Sequence, residues 1–85
     1  MTRVLLPTHL RSYTAGLGEI VAEGQTLGAV LADVEAHHPG FLIRVVDEQD
    51  RIRRHIKCFV AGEQVRDLTA PVTGDVQIIA ALSGG

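Results

Sequence analysis

Apolar residues recur at two different periods along this 85-residue chain, and each change of period marks where strand gives way to helix. Val4, Leu5 and Leu6 predict a short first strand over residues 3–7, which Pro7 ends or bulges. The stretch 13–18 supplies turn glycines at Gly16 and Gly18. Glu19-Ile20-Val21-Ala22-Glu23 then predicts a second strand, hairpinned with the first. Gly24 breaks this strand, and Thr26 stands where a side-chain oxygen can accept from the free N–H groups of a helix start. Leu27, Val30, Leu31 and Val34 follow i, i+3, i+4, i+7 spacing, the strongest amphipathic signal in the chain. Gly28 weakens that helix by roughly 1 kcal/mol relative to alanine. Pro39 and Gly40 should stop it near His38.

Beyond the helix the pattern shortens. Residues 41–46 are apolar and fit either a helical turn or an extended segment beneath the core, and residues 47–51 form a polar loop. Residues 55–60 alternate, with Ile56, Cys58 and Val60 on one side and Lys57 and Phe59 on the other. Ala61-Gly62 suits a tight turn into Glu63-Gln64-Val65, because Gly62 accepts positive φ. After a connection through Pro71, Thr73-Gly74-Asp75 turns into a last strand, Val76-Gln77-Ile78-Ile79-Ala80-Ala81-Leu82. One helix among several strands packs most economically with its apolar stripe on one face of a mixed sheet. The expected class is therefore α+β: one domain over residues 1–82, a sheet of four or five strands, and a flexible Ser83-Gly84-Gly85 tail.

Composition narrows the function. With 46% hydrophobic residues and positive mean hydropathy the chain buries a core, and since it has no tryptophan and few other aromatics that core is aliphatic. Eight basic against ten acidic residues leave a formal charge of −2, which gives no electrostatic case for nucleic acid or an anionic membrane. No apolar run reaches membrane-spanning length and residues 1–6 are too short for a secretory signal, so a cytoplasmic, monomeric protein is expected. A lone cysteine, Cys58, cannot make an internal disulfide and excludes a four-cysteine iron–sulfur or zinc cage within the chain.

Candidate chemistry concentrates at Gly84-Gly85. A glycine pair after a hydrophobic strand is either a floppy end or a slim arm that carries the α-carboxylate of Gly85 into another protein's active site. A carboxylate is a poor acyl donor until activated, so the second reading implies an ATP-using partner. Cys58, between Ile56 and Val60, reads as a buried inert thiol rather than a sulfur relay. His37 and His38 point about 100° apart on a helix and complete no metal motif. His9 and His55 have no partner spacing either. Alternation turns Phe59, Ile79 and Leu5 to the open side of the sheet, an apolar cluster that a partner would cover. Arg11, Arg66 and the run Arg51, Arg53, Arg54 read either as contacts to acidic partner surfaces or, more plainly, as a solvated charged face; Arg11 has the best functional claim because it follows the Pro7 to Leu10 motif.

Over essentially its whole length the chain resembles the MoaD/ThiS family of β-grasp, ubiquitin-like sulfur carriers. The resemblance rests on Pro7-Thr8-His9-Leu10-Arg11 with Thr14 and Gly16, on Thr26-Leu27, and on His38-Pro39-Gly40. It continues through Phe59-Val60-Ala61-Gly62 with Val65-Arg66, then Gly74-Asp75-Val76 and the terminal Gly84-Gly85. Within the family, the Pro-Thr-x-Leu-Arg-x-x-Thr-x-Gly stretch from Pro7 to Gly16, with residues 26–30 and Asp33, looks most like the carriers that serve cysteine biosynthesis. Ala61, where the family often has Asn, and His38, where an aromatic is common, depart from the pattern. The resemblance implies that an E1-like enzyme uses ATP to adenylate Gly85. The adenylate then becomes a thiocarboxylate, with Gly84 keeping the tail slim, and a second partner accepts the sulfide. Such a carrier binds no cofactor and is a substrate of its partners rather than an enzyme. The small subunit of molybdopterin synthase and a lysine-conjugated modifier are the alternatives that the same tail allows.

Overall fold

Five short extended segments, most of them alternating between core and solvent, pair into one mixed sheet. They are β1 (Thr2–Leu5), β2 (Glu19–Ala22), β3 (Ile56–Val60), β4 (Glu63–Val65) and β5 (Val76–Ala80), in spatial order β2-β1-β5-β3-β4. The computed structural model describes residues 1–80. Residues 81–85 lie outside that description, and with them the expected domain end at Leu82 and the Ser83-Gly84-Gly85 tail. First and last strands are parallel neighbours at the centre of the sheet, with Val4 opposite Val76, and the other pairs are antiparallel. Among the described residues no helix is long and apolar enough to cross a membrane.

The sheet's covered face carries Val4, Ile20, Ala22, Ile56, Cys58, Val60, Val76 and Ile78, all buried. Against it lies α1 (Leu27–His37), whose Leu27, Val30, Leu31 and Val34 are buried as the spacing requires. Thr26 caps this helix, its Oγ1 accepting from the Ala29 N–H at 3.2 Å. Two more orphan donors of the first turn are satisfied from the 67–70 connection: Leu27 N–H reaches the Ala70 carbonyl and Gly28 N–H the Leu68 carbonyl, each at 2.9 Å. That contact explains Gly28, since a Cβ there would sit 3.2 Å from the Leu68 carbonyl oxygen. The propensity lost at Gly28 is exchanged for a close approach of the chain.

The ambiguous segment 41–46 resolves as helical. Phe41 is completely buried, and α2 (Leu42–Val45) makes a single turn before Val46 bridges to Ile52. Glu35 holds this corner, its carboxylate accepting from the Leu42 N–H at 2.8 Å and the Gly40 N–H at 3.1 Å. These two donors hold the Glu35 carboxyl below the usual range, so what it contributes to stability is present above the ordinary glutamate pKa and lost as pH falls. At the β3–β4 turn both Ala61 and Gly62 have positive φ, 50° and 85°, the geometry of a two-residue hairpin.

The connection between β1 and β2 differs from expectation. Thr8–Thr14 form a 3-10 helix where the sequence suggests only a turn. Its i, i+3 repeat leaves little apolar periodicity to read, since Leu10 and Thr14 are its buried positions and one of them is polar. The Thr14 hydroxyl has no access to solvent and donates to the Leu17 carbonyl at 2.8 Å, while the Gly16 N–H closes onto the Arg11 carbonyl at 2.7 Å. Thr14 and Gly16 thus form a buried polar clasp rather than an open turn.

Candidate functional site

Because β5 is a central strand, its end at Ala80 has a neighbour on either side. On one side β3 runs antiparallel, pairing Ile79 with Lys57 and Ala80 with Ile56. On the other, a cleft of about 290 Å³ is lined by Leu5, Pro7, Arg11, Gly18, Ile79 and Ala80, among others. Pro7 starts the 3-10 helix in extended geometry, and the helix then lifts Arg11 over this cleft. Arg11 is held there, its Nε donating to the Leu6 carbonyl at 3.3 Å. A Cβ on Gly18 would stand 2.7 Å from the Arg11 guanidinium, so glycine is what lets that group lie flat. The Pro-Thr-x-Leu-Arg motif therefore positions one cation beside the end of the C-terminal strand.

The open face of the sheet holds the expected apolar residues but not as a continuous cluster. Leu5 and Phe59 are partly buried and Ile79 is exposed. Gln77 sits opposite both Leu5 and Phe59, because β5 lies between β1 and β3, so the patch is an apolar surface divided by one amide. Ile79 lies two residues further along β5, beside Lys57.

Four cations gather on the β3 flank. Arg53, Arg54, Lys57 and Arg66 line a groove of about 190 Å³ together with Ile56 and Val65, and no carboxylate lines it. Arg66 and the 51–54 run are far apart in sequence, and nothing in composition joins them. Arg51 leaves the group, turning to Gln49 and Asp47. A different pair, unread in the sequence, links β1 to the turn before β5: Arg3 Nη2 lies 2.6 Å from Asp75 Oδ2. Its hydrogen bond holds the Asp75 carboxyl below the usual range.

The remaining candidates carry no chemistry here. Cys58 is fully buried, and desolvation pushes its thiol up to about 11, so it stays protonated and enclosed at neutral pH. Among the described residues no group of three histidine, cysteine or acidic side chains could hold a metal ion. His37 Nδ1 lies 2.9 Å from the Asp33 carbonyl oxygen of its own helix, and Asp33 itself accepts from the Glu23 N–H at 3.0 Å, tying β2 to α1. Gly84 and Gly85 fall outside the described residues.

No protein-family model matches the chain. The sulfur carrier protein CysO of Mycobacterium tuberculosis (strain ATCC 25618 / H37Rv) is 38% identical over 89 aligned positions, covering 96% of this chain and 96% of that protein. The chain belongs to this family of sulfur carriers. Solved structures agree across the whole fold. CysO in the Amycolatopsis orientalis BexX/CysO complex superposes with a TM-score of 0.92 at 33% identity, covering 100% of both chains. M. tuberculosis CysO superposes with a TM-score of 0.87 at 34% identity, covering 96% of this chain and 100% of that one. SAMP1 of Haloferax volcanii, 24% identical with a TM-score of 0.75 over 99% of this chain and 98% of its own, shares the fold. The five-stranded sheet with one main helix in this sulfur carrier is thus the β-grasp, ubiquitin-like fold.

Proposed function

We propose that this chain carries sulfur on the α-carboxylate of Gly85 as a cosubstrate of partner enzymes. An ATP-using, E1-like partner joins the carboxylate to AMP and releases pyrophosphate. Sulfide sulfur then attacks the acyl carbon and AMP leaves, giving a thiocarboxylate. The thiocarboxylate sulfur is a soft nucleophile that attacks an activated carbon on the acceptor and displaces its leaving group, and hydrolysis of the acyl–sulfur bond leaves the thiol on the acceptor and returns the carboxylate. Membership among carriers named CysO favours an acceptor on a route to cysteine. One observation supports this reading above the others: the relationship to a sulfur carrier covers 96% of this chain and 96% of the M. tuberculosis protein. As a carrier the chain leaves the catalysis to its partners. Gly84 then keeps the arm narrow, and Leu5, Phe59, Ile79 and Arg11 form the face that meets the partner.

Intact mass tests the proposal. The full chain, incubated with its activating enzyme, ATP and a sulfide source, is expected to gain the mass of one sulfur in exchange for one oxygen, and to lose it again when the acceptor enzyme and its substrate are added. A chain that keeps its carboxylate mass, or that is recovered joined to lysines of other proteins, counts against the carrier reading.

A further inference from the structure

Among the described residues, the cations of the groove between β3 and β4 take no part in the fold's ion pairs. The carboxylates nearest in sequence are engaged or distant. Asp67 accepts from both the N–H and the hydroxyl of Thr69, and Glu63 sits at the far end of the hairpin opposite Val60. Asp75 is taken by Arg3 at the other end of β5. Half of the eight basic side chains of a chain with net charge −2 are therefore gathered in one groove that no carboxylate lines; Asp47 feels the charge of Arg53 from outside it, but its carboxylate is engaged by the Gln49 and Arg51 N–H groups. Like charges held together cost free energy unless an opposite charge meets them. Arg53 is also preorganised, its Nε fixed on the Ile43 carbonyl at 2.6 Å.

Position gives this charge a use. Ile56 and Lys57, which line the groove, are the residues that pair with Ala80 and Ile79. Five residues, 81–85, separate Ala80 from the Gly85 carboxylate. Fully extended they reach at most about 18 Å. A partner that takes Gly85 into its active site must therefore press its surface against the rim around Ala80, where this groove lies.

We propose that the groove of Arg53, Arg54, Lys57 and Arg66 docks an acidic surface segment of the activating enzyme, rich in Asp or Glu, and so steers the C-terminal strand toward the active site. The proposal rests on the carrier reading above. Arg forks suit carboxylates, and Ile56 and Val65 give the floor of the groove some apolar contact for the stems of acidic side chains. Such charges act chiefly on encounter, so they raise association rate and salt sensitivity and leave the chemical step alone.

The test reverses three exposed charges, Arg54→Glu, Lys57→Glu and Arg66→Glu, in the full chain, leaving Arg53 as the structural anchor. Steady-state adenylation by the activating enzyme is expected to show KM raised by about tenfold at low salt, kcat unchanged, and a flattened salt dependence. An unchanged KM and salt dependence in a variant with wild-type melting overturns the proposal, although wild-type adenylation would still uphold the carrier reading. If the wild-type chain is not adenylated at all, the carrier reading fails and amide chemical shifts decide the groove. Hexaglutamate at low salt should move signals of residues 53–57 and 64–66 in the wild type and not in the variant. No shifts there, or tighter binding of an oligothymidylate of equal charge, overturns the assignment to an acidic protein segment.

Discussion

Deleting Gly85 is expected to abolish thiocarboxylate formation while the circular dichroism spectrum and melting curve stay those of the full chain. Both halves follow from where the chain's interactions lie. Among the described residues the buried apolar core runs from Val4 to Ile78, and β5 pairs with β3 as far as Ala80. Folding free energy thus has other sources than the last residue. Adenylation is different, because shortening the arm by one residue withdraws the carboxylate by about 3.5 Å. A misplacement of even 1 Å at a reacting centre can cost on the order of 10²-fold in rate. Loss to below detection is the expected result, measured as pyrophosphate release and as intact mass. Gly85→Ala separates position from size, since it keeps the carboxylate in place and adds one methyl group; it should slow the reaction without ending it. Sulfuration of the truncated chain at a rate within tenfold of the full chain would remove Gly85 as the reacting residue.

The largest effect on stability should come from Gly24→Ala, a position with no role in the proposed chemistry. Gly24 lies between β2 and the helix cap. A Cβ there would stand 2.6 Å from the Val30 nitrogen and 2.8 Å from the Ala29 carbonyl carbon. These are backbone atoms of the first turn of α1, which Thr26, Leu68 and Ala70 already pin by hydrogen bonds. Relief requires moving the helix against a filled core, at a cost of about 3 kcal/mol. In a domain of this size that lowers the melting temperature by roughly 15 °C. Gly16→Ala is the matched control, with φ of 81° and nothing within 4 Å of an added Cβ, so it reports the conformational penalty without the clash. That penalty is about 1 kcal/mol. Equal melting temperatures for the two variants would show that the helix yields, contrary to the geometry.

These cases show which features were legible in the sequence. The α1 stripe, the Thr26 cap, the stop near His38 and the alternation of β3 and β5 all follow from local rules, and each is found where those rules place it. The 3-10 helix escaped them because its register depends on burying Thr14, a polar residue that is acceptable in the core only once Leu17 offers a carbonyl. The role of Gly28 escaped them too, since its reason is the chain at Leu68, forty residues away in sequence.

Around the end of β5 the same division holds. Alternation alone puts Leu5, Phe59 and Ile79 on one side of the sheet, because the period of a strand is a local property of the backbone. It cannot say which strands are neighbours. Only the order β2-β1-β5-β3-β4 sets Gln77 between Leu5 and Phe59, carries Arg11 to one flank of Ala80, and gathers Arg53, Arg54, Lys57 and Arg66 on the other. By itself the sequence determined the strands, the main helix and the covered face, and supplied the glycine pair proposed as the reactive end. The tertiary structure decided what surrounds that end, because strand adjacency depends on long-range pairing and core packing, which no local period encodes.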